Sequence, residues 1–192
     1  MMNKIIFIDT ETGGVNADFS ALIQLSGIIE VDGTEKEKFN FYIKPFKNSE
    51  INEKALEVQG RTLEELRTDK YIDESIIYKK FLEILDKYID KYDKDDKFIV
   101  AGYNVKFDID ILKALFERNN NKFLFSYFNS SMLDPLYSVR LLQVAGMLPV
   151  LENNKLETWC KYFNIELKAH DSLQDITATK KLIEKLIELI KK

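Results

Sequence analysis

A single cysteine, Cys160, stands among the 192 residues, so the chain has neither an intrachain disulfide nor a thiolate cage for zinc. Any metal it binds must be held mainly by oxygen. Histidine is as scarce: His170 is the only one, and near neutral pH it is the side chain best suited to exchange a proton. Three prolines and seven glycines nowhere gather into a linker, and there is no repeat or low-complexity tract. One domain over residues 1–192 is the economical reading. No apolar run approaches the length of a bilayer span. Met1 leads almost directly into a strand-like run at Lys4, without the regions of a signal peptide. A cytoplasmic location with no membrane partner is therefore expected. The formal charge of −4 argues at first against a nucleic-acid binder, because phosphates attract Lys and Arg. That argument is weak: carboxylates gathered to hold divalent cations make a chain acidic without preventing a basic rim.

What is present reads as alternating strands and helices. Lys4 to Asp9, Ala21 to Val31 and Lys36 to Lys44 are strand-like, and the turn at Asp32 to Thr34 joins the last two as a hairpin. A polar helical stretch begins at Asn52 and breaks at Gly60. Glu74 to Tyr92 carries Ile77, Phe81, Ile84, Leu85 and Tyr88 at helical spacing. Phe98 to Asn104 is a short buried strand, followed by a helix over Lys106 to Arg118. A strand at "MLDPL" precedes a helix opened by Pro135. Two further helices cover Leu156 to Phe163 and Ser172 to the C-terminus, the last with Ile176, Thr179, Ile183, Leu186 and Ile190 on one face. The class is α/β.

The first strand ends in "FIDTETGG". Asp9 and Glu11 are two apart, so both project from one face of the strand. Two carboxylates side by side repel unless one takes a proton or a cation lies between them. Taken alone, the pair reads more readily as a solvated strand end. A second acid, Asp108 in "NVKFD", falls in the first turn of a helix, where the dipole alone would favour it; Asp110 faces elsewhere on that helix. In "HDSLQD", Asp171 with Gln174 resembles a capping box, which leaves His170 in the loop and Asp175 in the first turn. Asp134, before Pro135, reads as another cap. Four acids and a histidine, each where a strand or loop meets an element end, suit a two-metal phosphodiester hydrolase.

The ordered set "FIDTETGG", "NVKFD" and "HDSLQD" resembles the three exonuclease motifs of the DEDD family in its histidine-containing branch, typified by the proofreading epsilon subunit of bacterial DNA polymerase III. The similarity extends over nearly the whole chain, through "LIQLSGIIEVDG", "YIKP", "LDPLYSVRLL" and "KLETWCKYFNI". It implies a ribonuclease H-like exonuclease fold, a mixed five-stranded sheet flanked by helices, with three antiparallel strands beside two parallel ones. It implies that Asp9, Glu11, Asp108 and Asp175 hold two divalent cations, Mg²⁺ or Mn²⁺, with His170 as general base. Thr12 would hold the terminal nucleotide, and Asn104 and Phe107 would shape the site. Gly13 departs from the pattern, standing where many members carry a second Thr.

The activity implied is 3′ to 5′ release of nucleoside monophosphates from a single-stranded or frayed 3′ end of DNA. RNA is the alternative substrate, and a non-catalytic nucleic-acid or polymerase-binding module is the rival of another class. A polymerase partner is left open, since no polymerase-binding tail follows the last expected helix. Leu22 and Ile23 are candidates to pack against terminal bases. The aromatic run Phe123 to Phe128 is read as core packing rather than as a stacking surface.

Overall fold

The computed structural model describes residues 3–167 and 171–191. Alternating apolar residues build three long strands, β1 (Lys4–Thr12), β2 (Leu22–Val31) and β3 (Thr34–Lys44), and helix α1 (Glu53–Val58) follows. Next come β4 (Ile72–Asp73), α2 (Glu74–Asp86), β5 (Phe98–Ala101), α3 (Lys106–Arg118), β6 (Phe128–Leu133), α4 (Pro135–Val144), α5 (Leu156–Tyr162) and α6 (Ser172–Ile190). The strands form one six-stranded sheet in the order β4-β3-β2-β1-β5-β6. β2 is antiparallel to both β1 and β3, while the pairs β3/β4, β1/β5 and β5/β6 are parallel.

The sheet is thus one strand wider than expected. The addition is β4, where Ile72 and Asp73 pair with Ile43 and Lys44. Two residues carry no periodicity from which a strand could be read. β1 also runs further than Asp9, because β2 keeps pairing with it as far as Glu11↔Gln24 and, past an irregularity, Thr12↔Leu22. Asp9 and Glu11 therefore lie inside a paired strand.

Side-chain alternation divides the molecule into layers. Ile6 and Ile8 of β1, with Leu25 and Ile29 of β2, pack with Ile77, Phe81 and Leu85 of α2 and Ile109, Leu112 and Leu115 of α3. Phe7 and Ile28 pack instead with Ile176 and Ile183 of α6. Beyond them, Val139 and Leu142 of α4, Trp159 of α5, and Leu182 and Leu186 of α6 form a second cluster. Burying each such side chain contributes about 1.5–3 kcal/mol, which fixes α6 to the sheet through Phe7 and Ile28 and to α4 and α5 through the second cluster. Ile190 departs from the expected face: it is exposed, whereas Leu182 is fully buried. At the end of α6 the packed residue is Leu189, which lies against the cluster of α4 and α5, and Ile190 faces away.

α2 stops at Asp86 rather than Tyr92. The chain there turns back, and Lys4 Nζ donates to the Tyr88 carbonyl at 2.6 Å and to Asp96 at 2.5 Å. The aromatic run divides. Leu124, Tyr127 and Phe128 are buried as expected, but Phe123 and Phe125 are exposed, because a 3₁₀ turn over Leu124–Ser126 points successive side chains apart. No helix among the described residues is long and apolar enough to cross a membrane.

Candidate active site

The acids meet where β1 passes under the start of α6. Asp9 and Glu11 share one face of β1, and Asp175 comes from the first turn of α6. One carboxylate oxygen from each of these three residues lies within 4.8 Å of the others. Asp171 starts that helix as its N-cap, its side chain accepting from Gln174 N at 3.2 Å. The helix start is also fastened to β2, since the Ser26 and Ser172 hydroxyls lie 2.5 Å apart. The capping residue and the serine together set where Asp175 points.

Asp108 arrives from the other layer, in the first turn of α3. Its Oδ1 accepts from Thr10 N at 2.9 Å and Thr10 Oγ1 at 2.7 Å. It is buried, and it is not among the three mutually close acids. Its charge nevertheless reaches them. Asp9 is held well above the usual carboxylate range by burial first, then by Asp108, Asp175, Glu11 and Asp171. Burial and Asp175 push Glu11 up to about 7, with Arg61 opposing them. Burial also raises Asp108, against the Thr10 hydrogen bonds, which lower it. The fold thus concentrates negative charge that only protons or cations relieve. An all-carboxylate donor set is one that hard cations such as Mg²⁺ and Mn²⁺ accept.

The turn that presents Asp108 is built by close approach and left-handed backbone. A Cβ on Gly102 would come 2.7 Å from the Ile8 carbonyl oxygen, so only glycine lets β5 close on β1 here. Asn104 is exposed and takes φ +58°, a conformation that Asn tolerates better than most residues. Asp134 holds this turn: it accepts from Asn104 N and Val105 N at 3.2 Å each, while capping α4 through Leu136 N at 2.9 Å. The expected cap therefore has a second task, bracing the loop ahead of Asp108. Asp110 faces away and pairs with Lys106.

The remaining candidates are placed as follows. Thr12 is buried and donates its hydroxyl to the Gly14 carbonyl at 2.6 Å, and its own carbonyl accepts from Gln59 Nε2 at 2.8 Å. Phe107 is half-buried against the main core. His170 lies outside the described residues. Leu22 and Ile23 are fully buried in the core, so neither offers a face to a base. Gly13 has its own reason: a Cβ there would stand 2.8 Å from the Glu50 carbonyl oxygen. Two polar residues were missed in the sequence, Gln24 and Arg61, both buried beside Glu11. Gln24 sits in an apolar strand pattern and Arg61 in a polar loop, and neither spacing marks them.

Comparison with known proteins gives the family and the fold. The exonuclease family model RNase_T matches residues 6–183. A DNA polymerase III of PolC type from Bacillus cereus is 26% identical over 184 residues, 95% of this chain but 11% of that protein. A ribonuclease T from Histophilus somni is 27% identical over 199 residues, covering 97% of this chain and 84% of that one. Among solved structures, the zinc-bound form of an E. coli exonuclease I complex with single-stranded DNA superposes with a TM-score of 0.81 at 24% identity, over 98% of this chain and 41% of that one. The exonuclease I complex with a dT13 oligonucleotide gives 0.77 at 23% identity, over 96% and 40%. These structural likenesses speak for the fold. The chain thus spans about a tenth of the PolC-type polymerase and two fifths of exonuclease I. With its three motifs in order, an acid cluster at the end of β1 and a family match over nearly its whole length, the chain belongs to the exonuclease family.

Proposed function

We propose that this protein is a metal-dependent 3′ to 5′ exonuclease that releases nucleoside monophosphates from single-stranded or frayed DNA ends. The observation that carries the reading is the convergence of Asp9, Glu11 and Asp175 within 4.8 Å. These three residues, with Asp108 beside them, would hold two divalent cations. Bound there, the cations would polarise the scissile phosphate and make a water a stronger nucleophile. Thr10 keeps the Asp108 carboxylate turned toward β1, and Asp171 and Ser172 keep Asp175 over it. His170, immediately ahead of the Asp171 cap in sequence, is assigned as the base that takes the proton of the attacking water. Thr12 and the glycine turn after it, with Asn104 and Phe107, are assigned to the terminal nucleotide.

A second reading, the same chemistry on RNA, is favoured by one observation: the Histophilus somni ribonuclease T aligns over most of both chains. The test is hydrolysis of matched 5′-labelled DNA and RNA single strands with Mg²⁺ or Mn²⁺, beside an Asp9→Ala control. A ladder shortening from the 3′ end of DNA, absent from the control, is expected. Shortening of RNA alone moves the protein to the ribonuclease reading, and no metal-dependent shortening of either overturns both.

A further inference from the structure

Arg61 follows Gly60 in the loop after α1 and is only 9% exposed. Its Nη2 donates to Oε1 of Gln24, and its guanidinium carbon lies 5.6 Å from the centre of the Tyr42 ring. Nη1 is buried without a hydrogen-bond partner. A guanidinium buried for stability alone gains most from a bidentate carboxylate; here the bonded partner is a neutral amide. Gln24 is itself fully buried and cannot turn away, because its Nε2 donates to Asn40 Oδ1 at 2.8 Å and approaches Asp171 Oδ2 at 3.5 Å.

Gln24 stands opposite Glu11 in the β1/β2 register, so the amide and the carboxylate project from the same face of the sheet. The charge fixed by Gln24 is therefore held on the face of the sheet that carries the acid cluster. Arg61 opposes the burial and the Asp175 charge that disfavour the Glu11 anion. Its field also reaches Glu65 and Tyr71, and both lie away from the cluster, in the segment leading to β4.

Resting on the metal-site reading above, we infer that Arg61 is a positioning residue that sets cation affinity: a resident positive charge, locked beside Glu11 by Gln24, that competes with incoming divalent ions. With the site empty, the guanidinium moderates the repulsion among the acids. With the site filled, the same charge repels the ions, so affinity is held below what the carboxylates alone would give.

The test is calorimetric titration of Mn²⁺ alone into the wild type and the Arg61→Gln, Arg61→Met and Arg61→Lys variants. Removing the charge is expected to tighten Mn²⁺ binding about three- to tenfold, the order that one elementary charge exerts across a partly desolvated site. Arg61→Lys, which keeps the charge, is expected to stay within about twofold of the wild type. A purely structural Arg61 would give the opposite sign, since its loss would loosen the site and weaken binding. Neutral variants that bind no more tightly than the wild type overturn the inference and leave the metal site standing. Tightening in Arg61→Lys equal to that in the neutral variants does the same. A wild type that binds no Mn²⁺ overturns the inference together with the reading beneath it. Arg61→Gln retains an amide donor for Gln24 and Arg61→Met the apolar stem, so the test does not depend on a single variant folding.

Discussion

The carboxylate of Asp108 is hydrogen-bonded twice by Thr10, through its backbone N–H at 2.9 Å and its hydroxyl at 2.7 Å. Thr10 is the residue between Asp9 and Glu11, with its side chain on the other face of β1. The strand thus carries two acids of the cluster on one side and grips a third acid from the other. Asp108→Asn keeps an oxygen that accepts both Thr10 bonds and removes the charge. The variant is expected to melt within a few degrees of the wild type while losing at least about 10²-fold in turnover. Turnover near the wild-type value would remove Asp108 from the metal-holding set.

The raised Glu11 pKa makes a statement about stability and pH. The folded value, about 7, lies above the 4.5 usual for a free glutamate. The contribution of Glu11 is therefore fully present below about 4.5 and lost as pH rises through about 7. In the metal-free protein the loss of that contribution lowers the melting temperature over that window, and Glu11→Gln removes the effect. Saturating Mn²⁺ is expected to flatten or reverse the slope, because the ion binds the charged carboxylates. Melting curves from pH 4 to 8, with EDTA or with Mn²⁺, decide it; identical slopes in wild type and Glu11→Gln would contradict the assignment.

Asp134 satisfies three backbone N–H groups, two in the turn before α3 and one at the start of α4. Asp134→Ala leaves all three buried or half-buried donors short of a partner. The expected loss is about 2–4 kcal/mol, from the cap and the unsatisfied donors together. Urea denaturation measures it. Because the turn carries Asn104, which is proposed to contact the terminal nucleotide, KM for oligonucleotide is expected to rise as well.

His170→Ala tests the proton acceptor separately from the cations. Turnover is expected to fall by roughly 10²-fold or more, while calorimetric Mn²⁺ affinity stays close to that of the wild type. Parallel loss of Mn²⁺ binding would recast His170 as a ligand, and unchanged turnover would end its assignment as base.

Much of this site was legible because its parts obey local rules. The period of two puts Asp9 and Glu11 on one face, the capping pattern at Asp171 places Asp175 in a first turn, and Lys106 to Arg118 is the helix that its spacing predicts. What stayed hidden depends on tertiary pairing. Gln24 faces Glu11 only through the β1/β2 register, and Arg61 reaches Gln24 across the loop after α1. β4 is too short to leave a pattern. Helix α2 ends early because Lys4, distant in sequence, holds the Tyr88 carbonyl. The tight approach of Gly13 to Glu50 likewise depends on two distant segments meeting.

Helix α6, which brings Asp175 to β1, follows every strand of the sheet, whereas Asp9 and Glu11 lie in the first of them. During synthesis the strands and the α2/α3 layer emerge first and lack the third acid of the cluster. The acid cluster closes only when α6 has left the ribosome and docked across β1 and β2. A partly made chain that has reached only α5 therefore carries the two strand acids without Asp175, and its acid cluster stays disarmed, close to messenger and transfer RNA, until α6 docks.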